Sequence, residues 1–186
     1  CTEGLISVLY KKKDRDDPRN YRPITLLNAD YKILTRVLTT RMNEAIKQIV
    51  SKQQNGFVPD GFIAENIMLL KLIQAHVEDQ DEDGFFIFLD MEKAFDRCAW
   101  EYLLEALPKV GFGEDFVNYV RLFYSHTSPP TRRITMNGHT GEAFELASGV
   151  AQGCPLSPLL FLIITESLTR SVQNDNEIKG ITTGDT

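Results

Sequence analysis

The run Phe85–Leu89, FFIFL, stops abruptly at Asp90 and constrains this chain more than any other stretch. Its length, its aromatics and the preceding Gly84 predict a short strand buried on both faces. With 186 residues, 42% of them hydrophobic, the chain can bury a core that would hold such a strand. The strand would deliver the Asp90 carboxylate to a sheet edge, where a loop opens to solvent. Hard cations such as Mg²⁺ take one or two carboxylates at such a place, with phosphate or water completing the shell. The plainer reading of Asp90 is a turn-forming carboxylate that hydrogen-bonds nearby amides. Asp96 lies past a turn and need not point to the same place. Glu92 stands in a different context from the second carboxylate that phosphohydrolases commonly need.

The rest of the chain surrounds this run with mixed elements. Leu5–Tyr10 predicts a buried strand. Arg22-Pro23-Ile24 is extended, because a proline disfavours the helical region for its predecessor. Ile33, Leu34, Val37, Leu38, Met42 and Ile46 recur at helical spacing between Ala29 and about Val50, with Asn28 as a cap. A second helix over Ile63–Val77 would place Ile67, Leu70, Ile73 and Val77 on one face. Trp100–Leu107 and Phe116–Tyr124 read as helices joined at Gly111–Gly113, with Trp100 in the core. Arg132–Met136 and Glu142–Leu146 flank the hairpin signal Asn137-Gly138. Ser157, as cap, and Pro158, as first residue, start a helix that runs to about Asn174. Strands and helices mix without regular βαβ alternation, so the predicted class is α+β.

Charge is unevenly spread around a formal net of −6. Tyr10–Arg22 carries six cations and three anions; Glu78–Asp96 carries eight anions and one cation. A basic and an acidic segment in one chain suit phosphate and divalent cations respectively, although two solvated loops are the plainer reading. Cys1, Cys98 and Cys154 form no CxxC pair, which argues against a disulfide scaffold or a zinc site and fits a reducing compartment. The longest clean apolar run, Leu159–Ile164, is far below the roughly 18 residues of a membrane span. His76, His126 and His139 sit in unrelated contexts. The chain starts at Cys1 without a leader pattern, so we expect a piece of a longer protein.

Residues 148–160, SGVAQGCPLSPLL, combine two glycines, a polar Gln152 between them and a helix start. Glycine allows close backbone approach to a ligand, and exposed amides at a helix start favour anions. An ordinary strand-to-helix turn is the plainer reading. Cys154 has no histidine near it in sequence and is a poor nucleophile candidate.

In chain order, NYRPITLLNADYKILTRVLTTRM, QNGF, FLDMEKAFD and GVAQGCPLSPLLF resemble the reverse transcriptase of non-LTR (LINE-like) retrotransposons, from about Leu5 to Ile181. The resemblance implies a partial right-hand polymerase fold. Residues 1–84 would be a fingers-like region. Residues 85–186 would be an incomplete palm, with a metal-binding strand at 85–90 and a nucleotide-facing turn plus helix at 148–174. It implies an RNA-directed DNA polymerase that joins deoxynucleoside triphosphates to a DNA primer on an RNA template. Two Mg²⁺ ions are expected, with Mn²⁺ as a substitute.

Residue by residue, the resemblance makes Asp90 the first metal-binding aspartate, and the Met91 backbone carbonyl a further metal ligand. Phe95 would lie under the sugar of the incoming nucleotide, and Gln152 and Gly153 would face its 3′ side and the templating pair. Arg22 and one of Lys11–Lys13, with Lys12 and Lys13 as nucleotide-binding candidates, would clasp the triphosphate. Two departures stand out. Ala151 occupies a position where the family usually has Arg or Lys, which weakens a template or phosphate contact or marks a decayed copy. The family's aromatic-Ala-Asp-Asp block occurs nowhere in the 186 residues, so we expect the chain alone to be inactive. The alternative is a decayed, non-catalytic remnant that binds nucleic acid. An intron-type reverse transcriptase fits the wording of the blocks less well. The expected location is intracellular, in the nucleus, with no membrane partner.

Overall fold

A computed structural model describes residues 3–181; Cys1 and residues 182–186, the last of the predicted palm, lie outside the described residues. Strand β1 (Gly4–Tyr10) pairs antiparallel with β2 (Tyr21–Leu27), from Gly4 opposite Leu27 to Tyr10 opposite Tyr21. On its other side β1 pairs parallel with β3 (Thr131–Met136), Gly4 opposite Arg132. β3 turns back through Asn137-Gly138 into β4 (His139–Thr140), and β5 (Phe144–Glu145) pairs farther along the same strand. Both turn residues have positive φ, +52° and +79°, as a tight hairpin requires. The sequence expectation thus holds for the turn but misplaces the return strand, which starts at His139 rather than Glu142. Pro23 is tolerated because β2 is the edge of the sheet. β1 is half-buried rather than buried, and Leu9 and Tyr10 are exposed.

A short 3-10 helix (Pro18–Asn20) links β1 to β2, and five α-helices follow among the described residues: α1 (Ala29–Ile49), α2 (Ile63–Asp79), α3 (Trp100–Lys109), α4 (Glu114–Phe123) and α5 (Ser157–Gln173). None is long and apolar enough to cross a membrane. The core gathers Trp100, Leu103 and Leu107 of α3, Val117, Val120 and Phe123 of α4, and Leu160 and Ile163 of α5. α1 adds Tyr31, Thr35, Leu38, Met42 and Ile46. Its buried stripe therefore differs from the predicted one, because Ile33, Leu34 and Val37 are exposed. Thr35 takes an inside position because its hydroxyl donates to the Tyr31 carbonyl at 2.8 Å, which leaves its methyl to pack. α2 buries no residue fully; Leu70, Ile73 and Val77 are half-buried and Ile67 is exposed.

Two further expectations are corrected. Residues 85–90 form no strand, and Phe85, Ile87, Phe88 and Leu89 are each at least 74% exposed. An isolated extended segment gains nothing from its backbone donors and acceptors without a ladder partner, and none of the described strands pairs with it. Ser157 is the first residue of α5 rather than its cap; Leu156 holds the cap position without a side-chain bond. Ser157 is buried instead, with its hydroxyl 3.4 Å from that of Tyr124.

One polar clamp joins α1 to α5. Glu166 is buried, and accepts the Ser51 amide at 3.0 Å, the Ser51 hydroxyl at 2.9 Å and Arg170 Nε at 2.9 Å. Arg170 also donates to the Ile49 carbonyl, one of the orphan acceptors at the end of α1. Burial raises the carboxyl pKa, but the hydrogen bonds from Arg170 and Ser51 outweigh it, and the net shift is downward from 4.5. A lowered folded-state pKa means that Glu166 stabilises the fold fully above the unfolded value. That contribution is lost as pH falls through the folded value. Glu166→Gln should cost about 1.5–3 kcal/mol near neutrality, the range for hydrogen bonds to a charged group. Urea titrations from pH 7 downward should show the gap to wild type closing below about 4.5.

Candidate active site

Three segments that are distant in sequence meet at one end of α5. The first is the turn 90–98. It begins at exposed Asp90, and Lys93 has φ +52°. The Asp96 and Arg97 amides both donate to the Lys93 carbonyl, at 2.9 and 3.2 Å. The second is the turn 148–154, which leads into α5. The two turns are laced together. Val150 N–H donates to the Phe95 carbonyl and Gly149 N–H to the Cys98 carbonyl, each at 2.8 Å. The Ser148 hydroxyl donates to the Asp96 carbonyl at 3.1 Å. Gly149, with φ +92°, lets the chains close, because a Cβ there would stand 2.9 Å from the Asp96 carbonyl oxygen. Trp100 Nε1 donates to the Gly149 carbonyl at 2.8 Å and anchors the turn to the core.

The third segment is β2. Thr25 N–H donates to the Gln152 carbonyl at 3.0 Å. Gly153 has φ +106°, and a Cβ on it would lie 2.8 Å from the Thr25 carbonyl oxygen, so this position is closed to side chains. The Gln152 side chain turns the other way, and its Nε2 donates to Asp96 Oδ1 at 3.2 Å. A cavity of about 270 Å³ lies here, lined by Pro23, Thr25, Asp96, Ser148 and Gln152 among others.

Phe95 is half-buried between two rings. Phe161 of α5 lies 5.3 Å away between centroids, and Phe57 of the QNGF turn approaches edge-on at 6.5 Å. Phe57 lies in the loop that follows α1 and holds φ +62°. Phe161 also lines a second cavity, of about 420 Å³, with Asp90, Met91, Glu92 and Arg97. Glu92 and Arg97 pair at 3.3 Å on the surface, whereas no hydrogen bond or ion pair among the described residues occupies the Asp90 carboxylate. No group of three or more His, Cys, Asp or Glu that could hold a metal ion occurs among the described residues.

The basic residues form a looser set. Lys11, Lys12, Lys13 and Arg22 are all exposed, Arg22 on β2 and the lysines on the loop from β1. Lys13 has φ +72°, and its carbonyl accepts the Tyr10 hydroxyl at 2.6 Å. Arg19 pairs with Asp17 at 2.9 Å, and that hydrogen bond leads the upward shift of its pKa; the charge of Glu92 adds to it. Ala151 is buried, with its amide 3.4 Å from the Tyr124 hydroxyl. Burial also pushes the Cys98 thiol up to about 11, so it is a weak nucleophile beside this site.

The structure thus sets Gln152 and Gly153 against Thr25 of β2, and ties their turn to the 90–98 turn that carries Asp90, Met91 and Phe95. Sequence reasoning set Asp96 aside and gave QNGF little weight; only the fold reveals their contacts with Gln152 and Phe95. Over residues 10–183 the chain matches the family model described as "Reverse transcriptase (RNA-dependent DNA polymerase)". The chain belongs to the reverse transcriptase family. Three relatives of this chain are proteins of mobile elements. A Transposon TX1 149 kDa protein of Xenopus laevis is 31% identical over 89% of this chain and 12% of its own length. The Pol polyprotein from type-2 retrotransposable element R2DM of Drosophila melanogaster is 30% identical over 85% of the chain and 14% of its own. That from the type-1 element R2 of Popillia japonica is 31% identical over 94% and 24%. The chain thus spans a quarter or less of these three relatives. The resemblance to non-LTR retrotransposon enzymes, read from four sequence blocks, is borne out.

Proposed function

We propose that this chain is the fingers and part of the palm of a right-hand, RNA-directed DNA polymerase from a non-LTR retrotransposon, divided near residue 84. The observation that carries this reading is the lacing of FLDMEKAFD to GVAQG through the 2.8 Å bond from Val150 to Phe95. It holds the turn that carries Phe95 against the turn that carries Gln152 and Gly153, which would offer a ring, a side-chain amide and a glycine to one bound nucleotide. The proposed substrates are deoxynucleoside triphosphates, a DNA primer and an RNA template, which implies work in the nucleus.

The Asp90 carboxylate, open in its cavity beside Met91, fits a hard cation that takes one protein carboxylate and fills its shell with substrate phosphate. Asp90 and the Met91 carbonyl are the proposed ligands, with Mg²⁺ the preferred ion and Mn²⁺ a substitute. Divalent ions bound there supply charge stabilisation to the attacking and leaving oxygens of in-line phosphoryl transfer. Arg22, with Lys12 or Lys13, would grip the triphosphate: the guanidinium as a bidentate fork, the lysine as a point charge. Phe95, wedged between Phe57 and Phe161, cannot retreat from the sugar, and its ring would exclude a ribose 2′-hydroxyl. We further propose that the 186 residues alone do not polymerise, since Asp90 would be the single metal carboxylate they contribute.

The test is primer extension on an RNA template with Mg²⁺, by this chain embedded at the length of its relatives. Synthesis is expected from the long chain and none from the 186 residues. A silent long chain, or an active short one, would refute the corresponding statement. In the long chain, Phe95→Val should raise ribonucleotide use relative to deoxynucleotide by about 10- to 100-fold, the worth of a few methylenes of steric exclusion. Unchanged selectivity would remove Phe95 from the sugar pocket.

A further inference from the structure

We propose that Asp96 is a positioning residue that fixes the Gln152 amide, so that its carbonyl Oε1 rather than its NH₂ faces the incoming nucleotide. This deepens the polymerase reading and rests on it. An ionised carboxylate has lone pairs and no hydrogen to give, so the group that Gln152 turns to Asp96 must be its nitrogen. The Nε2 to Oδ1 distance of 3.2 Å has that sense. Oε1 is then the outward acceptor, and no hydrogen bond among the described residues occupies it.

Both ends of this bond are held independently of it. The Asp96 amide is tied to the Lys93 carbonyl, and its own carbonyl accepts Ser148 and sits against the bare Cα of Gly149. The Gln152 carbonyl is tied to Thr25 on β2. A long amide side chain otherwise keeps several rotors and two flip states, and ordering it costs free energy each time substrate binds. Asp96 meets that cost before substrate arrives, which is preorganisation. An outward carbonyl oxygen recognises a hydroxyl donor. The chemical group so recognised is the 3′-hydroxyl of a deoxynucleotide, and an analogue without it leaves the acceptor unmatched.

The experiment compares wild type, Asp96→Leu, Asp96→Asn and Gln152→Leu in the long chain. The readout is the ratio of kcat/KM for a deoxynucleotide to that for its 3′-deoxy counterpart. Asp96→Leu should shrink the ratio about 3- to 10-fold, the equivalent of one hydrogen bond. Asp96→Asn, whose Oδ1 still accepts, should restore it. In a Gln152→Leu background Asp96→Leu should change the ratio no further, because its effect passes through Gln152. An unchanged ratio in folded Asp96→Leu, a failed rescue by asparagine, or full additivity would each overturn the assignment. Hydrogen exchange of the Gln152 side-chain amide, followed by NMR on the same chains without nucleotide, is expected to be slow in wild type and fast in Asp96→Leu. If wild type makes no DNA, the polymerase reading fails by itself. The exchange measurement then still decides whether Asp96 fixes the amide, and equal rates would refute it.

Discussion

Asp90→Ala is expected to abolish RNA-templated DNA synthesis while leaving the protein folded. Asp90 is exposed, and no hydrogen bond or ion pair among the described residues uses its carboxylate, so its removal takes nothing from the fold. Substitutions of that kind change stability by no more than about 0.5 kcal/mol. Charge stabilisation by bound divalent ions contributes several kcal/mol to phosphoryl transfer, and each 1.4 kcal/mol is tenfold in rate. Loss of the anchoring carboxylate should therefore lower kcat by about a thousandfold or more. Primer extension in Mg²⁺, with a urea titration of the same preparation, separates the two effects. Retained synthesis would refute the role assigned to Asp90.

Trp100→Ala should have the largest effect on the fold itself. The indole is 1% exposed, its ring centroid lies 4.8 Å from that of His126 and 6.3 Å from that of Tyr124, and its N–H holds the Gly149 carbonyl. Truncating a buried tryptophan costs about 3–5 kcal/mol through lost transfer energy and the cavity left behind. A domain has only about 5–15 kcal/mol in all. Trp100→Phe refills most of the volume but leaves the Gly149 carbonyl without its donor, and should cost about 1–3 kcal/mol. The alanine variant should lower the urea midpoint steeply, the phenylalanine variant modestly. Equal losses would mean that the hydrogen bond, and not the packing, secures the 148–154 turn.

Much of this architecture is legible in the sequence because it depends on local chemistry. Helices α1, α3, α4 and α5 begin and end within a few residues of where spacing, glycines and Pro158 put them. The Asn137-Gly138 turn follows from the positive φ that both residues accept. Departures occur where partners decide. FFIFL has every local mark of a buried strand, yet burial requires a neighbouring ladder, which no local pattern specifies. The stripe of α1 rotates because Thr35 and Tyr31 satisfy their polar atoms internally, which a count of apolar residues overlooks. Asp96 gave no signal as a single acidic residue past a turn. Its meaning lies in Gln152, which reaches it only after two turns far apart in the chain have been laced together. Glycines 149 and 153 were legible as glycines, and the backbones that press against them were not.

The parallel pairing of β1 with β3 has a consequence for how the chain is made. Gly4 finds Arg132 as its neighbour only after more than a hundred further residues have been translated. At about 5–20 residues per second, the first strand leaves the ribosome on the order of ten seconds before its partner exists. β1 and β2 can pair at once through their short connection, whereas the other side of β1 lacks the partner that β3 gives it in the fold. Open edges recruit foreign strands, and long-range parallel pairing closes slowly. While α1 to α4 are emerging, β1 therefore lacks the neighbour that β3 later supplies.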